Sequence, residues 1–243
     1  MLIHNNSNLK GVFIEKPISY NLDGVSTIVN ICKERNIKLM IAENLRFNRG
    51  IELVKILLDN NSIGKVFACN YFFGSCLKDW RPDTDYKLSY SSHKNGGIAN
   101  DDIHAPALLL HLFGPVTKTI GILHNTHTLE IVEDDIADYI LQHNNGIISH
   151  IHSNYLLPFY CRTLEIYGLE GSIQFDYVDK IVNIRTKSLD VWRTFDCSCD
   201  TNDMYMKQLQ YYISCIVNNI EPYYNGISAI EIITKLKENQ NKL

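Results

Sequence analysis

Residues 163–175 read Thr163-Leu164-Glu165-Ile166-Tyr167-Gly168-Leu169-Glu170-Gly171-Ser172-Ile173-Gln174-Phe175. Apolar and polar side chains alternate on both sides of Leu169-Glu170-Gly171, the period of strands buried on one face. The pattern predicts strands over 163–167 and 172–175 joined as a hairpin, with the glycine supplying a positive backbone φ. Outward from this hairpin, strand-like runs follow one another with turns between them, at 66–73, 116–123, 135–141, 147–155 and 181–185. Asn144-Asn145-Gly146 is a second hairpin-type connection. Such a succession predicts a large, mainly antiparallel open sheet. One helix interrupts the set, over 101–112, and two close the chain. The first carries Met206, Leu209, Ile213, Ile216 and Val217 at helical spacing, the second Ile230, Ile233 and Leu236, and both are expected to cover one sheet face.

The first sixty residues have a different rhythm. A short apolar strand over 11–14 is followed by Leu22, Val25, Val29 and Cys32 at helical spacing, with Asp23 as the expected cap, and then by an apolar run over 38–42. A strand, helix and strand in this order form a crossover unit and predict a parallel pair. A second helix carries Ile51, Val54, Leu57 and Leu58 and ends at Asn60-Asn61 and Gly64. The predicted class is therefore α/β followed by α+β, divided into residues 1–60 and 61–243.

Composition narrows the partners. Of 243 residues, 45% are hydrophobic and 21% charged, which is enough apolar material for a core without disulfides or metals. The net charge of −4 comes from scattered acids and bases, which speaks against nucleic acid or an anionic membrane as partner. No apolar run reaches the roughly 18 residues of a membrane span, and residues 1–10 are polar, so a cytoplasmic protein is expected. Seven cysteines, an odd number in mostly apolar surroundings, suit reduced thiols. Cys197 and Cys199 form a lone C-x-C without a second ligand pair, and His150, His152 and Asp176 lack a ligand spacing, so no metal is expected.

Two constellations carry chemistry. Glu15-Lys16-Pro17 stands where a buried parallel strand ends, the edge at which open α/β sheets bind ligands. A lysine there can hydrogen-bond a substrate hydroxyl and help move its proton; the alternative is a lysine that pairs with a nearby acid. Gly96-Gly97-Ile98-Ala99-Asn100-Asp101-Asp102-Ile103-His104 leads into Leu108-Leu109-Leu110-His111-Leu112-Phe113-Gly114. Asp101 and His104 are three apart and share a face if one helix holds both, so Asp101 is expected to orient a histidine that accepts a hydroxyl proton. The alternative is that Asp101 or Asp102 caps the helix and His104 is a buried, satisfied side chain. A long, hydroxyl-rich loop, Trp80-Arg81-Pro82-Asp83-Thr84-Asp85-Tyr86-Lys87-Leu88-Ser89-Tyr90-Ser91-Ser92, lies between them.

The order Glu15-Lys16-Pro17, Ala42-Glu43-Asn44-Leu45-Arg46-Phe47-Asn48, Gly96-Gly97 to His104 and Phe113-Gly114 resembles the Gfo/Idh/MocA oxidoreductases. Ala137-Asp138-Tyr139, His152 to Tyr155 and 164–173 continue the likeness, which covers nearly the whole chain. The resemblance implies the last strands of a Rossmann-type parallel sheet followed by a large, mainly antiparallel open sheet covered on one face by helices. It implies NAD or NADP as cofactor, a sugar, polyol or nucleotide sugar as substrate, and a homo-oligomer formed through the open sheet. Lys16 matches the lysine that touches nicotinamide and substrate, and His104 the proton donor or acceptor, with Asp101 as the third catalytic residue. Glu15, Lys16, Asn44 and Arg46 fall in segments that line the cofactor side of relatives. Trp80, Arg81, Tyr86, Tyr90 and Asn100 are the expected substrate contacts. Two positions depart from the pattern: Asn100 and Ala107 stand where many relatives carry aspartates, so Asp101 is expected to replace the missing carboxylate. The glycine-rich G-x-G-x-x-G loop is absent as well, and with it the phosphate cradle. The chain is therefore expected to lack most of the Rossmann domain and to be an N-terminally truncated oxidoreductase. Two alternatives are a non-catalytic sugar-binding or oligomerisation module and a partner chain that supplies the missing domain.

Overall fold

A computed structural model of the protein describes residues 6–238 and 240–242. Half of the polar start read over 1–10, and the first five residues of the expected domain 1–60, lie outside the described residues. The early crossover unit forms as its pattern dictates. Strands β1 (Gly11–Ile14) and β2 (Lys38–Ile41) pair in parallel, with Gly11 opposite Lys38 and Ile14 opposite Ile41. Helix α1 (Val25–Glu34) connects them and buries Val25, Val29 and Cys32. Its cap corrects the sequence reading. Gly24 takes that position at φ 72° with no side-chain cap, while the Asp23 carboxylate accepts from Asn21 Nδ2 at 2.8 Å. Helix α2 (Arg49–Asp59) starts at Asn48, whose Oδ1 accepts from the N–H groups of Gly50 and Ile51.

The large sheet contains β3 (Val66–Gly74), β4 (Val116–His124), β5 (Ile136–His143), β6 (Ile148–Asn154), β7 (Cys161–Gly168), β8 (Gly171–Asp176), β9 (Ile181–Thr186), β10 (Leu189–Asp196) and β11 (Gln240–Lys242). Their order is β10-β9-β8-β7-β3-β6-β5-β4-β11. All seven runs read from the alternation are strands. The sheet is mixed: β3 lies parallel to β6, and β11 parallel to β4. The first parallel contact follows from the chain path, because the long segment between β3 and β4 crosses one sheet face before the β4-β5-β6 meander returns to the side of β3. The 163–175 hairpin forms, with Leu169 and Glu170 as its turn. Gly171 is there for a different reason than expected. A Cβ at this position would lie 2.3 Å from the Arg185 carbonyl oxygen of the neighbouring strand, so the requirement is close backbone approach. Gly146 does take the positive φ expected of its turn, at 87°.

The helix read over 101–112 is broken. A single turn, Ile98–Asp101, ends at Asp102, and helix α3 (His104–Phe113) begins afresh. Neither Asp101 nor Asp102 caps it; the first turn is held by Asp134, whose Oδ2 accepts from Ala99 N–H at 2.8 Å. Helix α4 (Thr201–Val217) begins in a reciprocal capping box between Asp200 and Asp203. Its buried residues are Met204, Gln208, Tyr212 and Cys215, whereas of the stripe read as core Met206, Leu209, Ile213 and Val217 are exposed and Ile216 is half-buried. Two helical stripes competed, and Gln208 was decisive because it supplies an acceptor to a buried backbone N–H. As a result α4 packs on the parallel pair and not on the large sheet, with Tyr212 against Phe13. Helix α5 (Gly226–Glu238) buries Ala229, Ile232, Ile233 and Leu236 and packs on both β4 and the parallel pair.

Two cores result. One fills the space between the large sheet and the helices α2, α3 and α5, and the other surrounds the parallel pair with Val25, Val29, Ile37, Leu39, Ile41, Tyr224 and Ala229. Ile18 and Leu110 pack against both and join them. The opposite sheet face carries exposed Ile120, Ile122 and Ile140.

Candidate active site

Because β1 and β2 are parallel, the residues that follow them emerge at one edge: Glu15-Lys16 after the first, Glu43 after the second. The start of α3 reaches the same edge. His104 Nδ1 lies 2.9 and 3.0 Å from the two carboxylate oxygens of Glu43, which is fully buried. Gln208 of α4 holds the Glu43 backbone by accepting its N–H at 2.7 Å. Lys16 Nζ donates to the Asp101 carbonyl oxygen at 2.6 Å and lies 4.0 Å from Asp101 Oδ1. The Asp101 carboxylate accepts from the hydroxyls of Tyr155, at 2.5 Å, and Ser91. Burial and the adjacent Asp101 charge raise the Tyr155 hydroxyl well above its ordinary pKa, so it remains a donor.

The contact between Asp101 and His104 expected from their spacing is not made. The break at Asp102 takes the two off a common helical face, and Glu43, 61 residues away in sequence, occupies the position on His104 that Asp101 was expected to take. Asp101 and Lys16 do meet, as the alternative of a lysine paired with a nearby acid has it, while both also face open space.

Behind these groups lies a more densely bonded cluster. Asp102 is buried and accepts from Ser153 Oγ at 2.7 Å, Tyr71 OH at 3.2 Å and Arg162 Nη2 at 3.3 Å. Burial raises its carboxyl above the ordinary value, against the pull of Arg162 and the hydrogen bonds. The Arg162 guanidinium lies over the rings of Phe73, Tyr160 and Tyr177 at 4.5, 5.8 and 5.7 Å. The Tyr160 hydroxyl is pushed up to about 12 by burial, with Arg162 acting in the opposite direction.

Of these residues, Lys16, Asp101, Asp102, His104, Tyr160 and Arg162 line an open cleft of about 530 Å³. The cleft gathers Lys16, His104, Asp101, Trp80 and Arg81 of the sequence-derived candidates. Trp80 is fixed by its Nε1 donating to Ser75 Oγ at 3.0 Å and by an edge contact with Tyr155. The other candidates lie elsewhere. Asn100 donates to the carbonyls of Asn95 and Gly96 and lines a separate hollow of about 210 Å³. The Tyr90 hydroxyl donates to the Asn95 carbonyl, and the Tyr86 hydroxyl accepts from Glu130 N–H. On the cofactor side, Glu15 is exposed and Asn44 half-buried, whereas Arg46 is buried with its guanidinium 5.1 Å from the Tyr224 ring. Of the groups weighed as metal ligands, His152 pairs with Asp138 at 2.7 Å, and the Asp176 carboxylate caps a turn through the N–H groups of Val178 and Asp179.

Glu43, Arg162 and Asp79 are residues of the candidate site that sequence reasoning missed. Glu43 had a signal, since it follows the second parallel strand just as Lys16 follows the first. Arg162 had none, being one arginine near the start of a strand.

Comparison with known proteins defines the class. Residues 51–174 match the GFO/IDH/MocA C-terminal domain, and the chain belongs to this family. Among curated proteins it is 24% identical over 184 residues to 2,7-anhydro-N-acetylneuraminate hydratase of Escherichia coli, covering 73% of this chain and 48% of that protein. It is 26% identical over 166 residues to D-apiose dehydrogenase of Rhizobium rhizogenes, covering 66% and 46%. The chain thus spans about half the length of these relatives. Among solved structures, levoglucosan dehydrogenase in complex with NADH and levoglucosan superimposes with a TM-score of 0.82 at 17% identity, over 93% of this chain and 68% of that one, which shows the shared fold.

Proposed function

We propose that the chain carries the substrate side of an NAD(P)-dependent oxidoreductase acting on a small sugar or polyol. One observation carries the reading: a lysine after one parallel strand and a histidine held by a carboxylate after the other open into the same cleft, beside an indole face. Lys16 has donors to spare for a substrate hydroxyl oxygen. His104, with Nδ1 engaged, takes or returns the hydroxyl proton at Nε2. Trp80 offers an apolar surface to a sugar ring, while Arg81 and Asp79 supply a donor and an acceptor at the rim. A bound nicotinamide supplies the hydride acceptor or donor.

The edge that carries Lys16 and Asn44 fits the nicotinamide end of such a cofactor, and this sequence contains no glycine-rich phosphate loop. NAD or NADP is accordingly expected to bind the 243-residue chain no tighter than about millimolar. Residues 1–60 are assigned to the dinucleotide side and 61–243 to the substrate and assembly side. The exposed row of Ile120, Ile122 and Ile140 on the open sheet face suits self-association, and seven free cysteines suit a reducing cytoplasm.

Isothermal titration with NADH and NADPH, followed by assay of a polyol panel with the dinucleotide at several millimolar, tests the reading. Polyol-dependent reduction of NAD or NADP that disappears in Lys16→Met supports it. A folded chain that binds neither dinucleotide nor any polyol overturns it and leaves an assembly module.

A further inference from the structure

We infer that Glu43 is the positioning residue for His104, and that it fixes the imidazole tautomer on which the proton transfer proposed above depends. This inference rests on that reading for its purpose but not for its chemistry. An ionised carboxylate is an acceptor only. Both Glu43 oxygens lie within hydrogen-bonding distance of His104 Nδ1, so the neutral ring carries its proton on Nδ1 and leaves the Nε2 lone pair unprotonated. That is the tautomer needed to accept a hydroxyl proton, since the other would turn an N–H toward the substrate. When Nε2 takes the proton, the imidazolium forms against a carboxylate that is already in place, so the charge is met without rearrangement.

The surroundings of Glu43 suit this role. It is fully buried, its backbone is pinned through Gln208, and the described hydrogen bonds of its carboxylate go to His104 alone. Arg46 is the charged neighbour on its own turn, and its guanidinium faces the Tyr224 ring. Asp101, the carboxylate nearer in sequence, is committed to Tyr155 and Ser91. Orientation of the histidine thus passes from the segment just before α3, where the spacing first pointed, to the end of β2. The arrangement joins the histidine of the substrate cleft to the parallel pair, so a shift of β2 is felt at His104.

The test is nitrogen-15 NMR of the full chain labelled at histidine, which reads the protonation of each ring nitrogen without substrate or cofactor. The expected result is an Nδ1–H tautomer for His104 in the wild type. Glu43→Gln, whose amide can donate to Nδ1, is expected to move the population toward Nε2–H, and Asp101→Asn to leave it unchanged. A wild-type His104 protonated mainly at Nε2 overturns the inference even if no variant folds. An unchanged tautomer in folded Glu43→Gln, or a change caused by Asp101→Asn, overturns it too. A folded chain that binds neither dinucleotide nor any polyol while the tautomers behave as expected removes the oxidoreductase reading and leaves the Glu43 assignment standing.

Discussion

The cleft has two acid–base pairs built on opposite plans. Asp102 and Arg162 are enclosed: the carboxylate has three hydrogen-bonding partners, the guanidinium lies over three aromatic rings with its Nε left without a hydrogen-bond partner, and little of either reaches solvent. Glu43 and His104 are sparse: both carboxylate oxygens share the one ring nitrogen Nδ1, and the imidazole keeps 17% of its surface open. The difference separates scaffold from working group. A buried carboxylate with three donors and a counter-charge is fixed in place, whereas a histidine with one nitrogen held and one facing the cleft can exchange a proton.

The largest effect should come from breaking the enclosed pair. Asp102→Ala leaves Arg162 buried without its counter-charge and is expected to cost about 3–5 kcal/mol of stability. Denaturant unfolding measures it, and a loss below about 1 kcal/mol would mean that the cluster is not the scaffold described. Lys16→Met should do the reverse, changing stability by only about 1 kcal/mol, the worth of one hydrogen bond. On the proposed function the same change should lower polyol-dependent turnover by about 100-fold. If the melt collapses while turnover survives, Lys16 belongs with the scaffold.

His111, about two turns further along α3, sharpens the comparison with His104. Burial, helped by Arg46 and Lys55, lowers its pKa from 6.5 to about 4. A histidine depressed in this way binds protons more readily in the unfolded chain. The stability carried by its neutral form is therefore present above pH 6.5 and is lost as pH falls toward 4. His111→Gln is expected to flatten the stability curve in that window, and an unchanged slope would show that other groups control it.

Much of the fold was legible because burial imposes a period. β7 and β8 announce themselves through Leu164, Ile166, Ile173 and Phe175, all buried on the core face. β10 does not, since it is an edge strand exposed along nearly its whole length, and exposure erases the alternation. β11 is only three residues long. Helix α4 differs from the sequence reading because its exposed stripe is more apolar than its buried one, which includes Gln208, the acceptor of the Glu43 N–H. In the site, Lys16 and His104 could be placed by topology and residue type. The partner of His104 could not, because a two-residue break in a helix decides whether a spacing of three is a contact, and no local signal at Asp102 or Ile103 reveals it.

On the proposed function Lys16 and His104 open into a polyol-binding cleft walled by Trp80, and a chemical-shift titration of the labelled chain with free sugars and polyols tests it. His104 and the Trp80 indole N–H are expected to shift together and saturate with one affinity, while the histidines of the open sheet face, His150 and His152, stay still. Shifts confined to His150 and His152, with His104 and Trp80 unmoved, would contradict it.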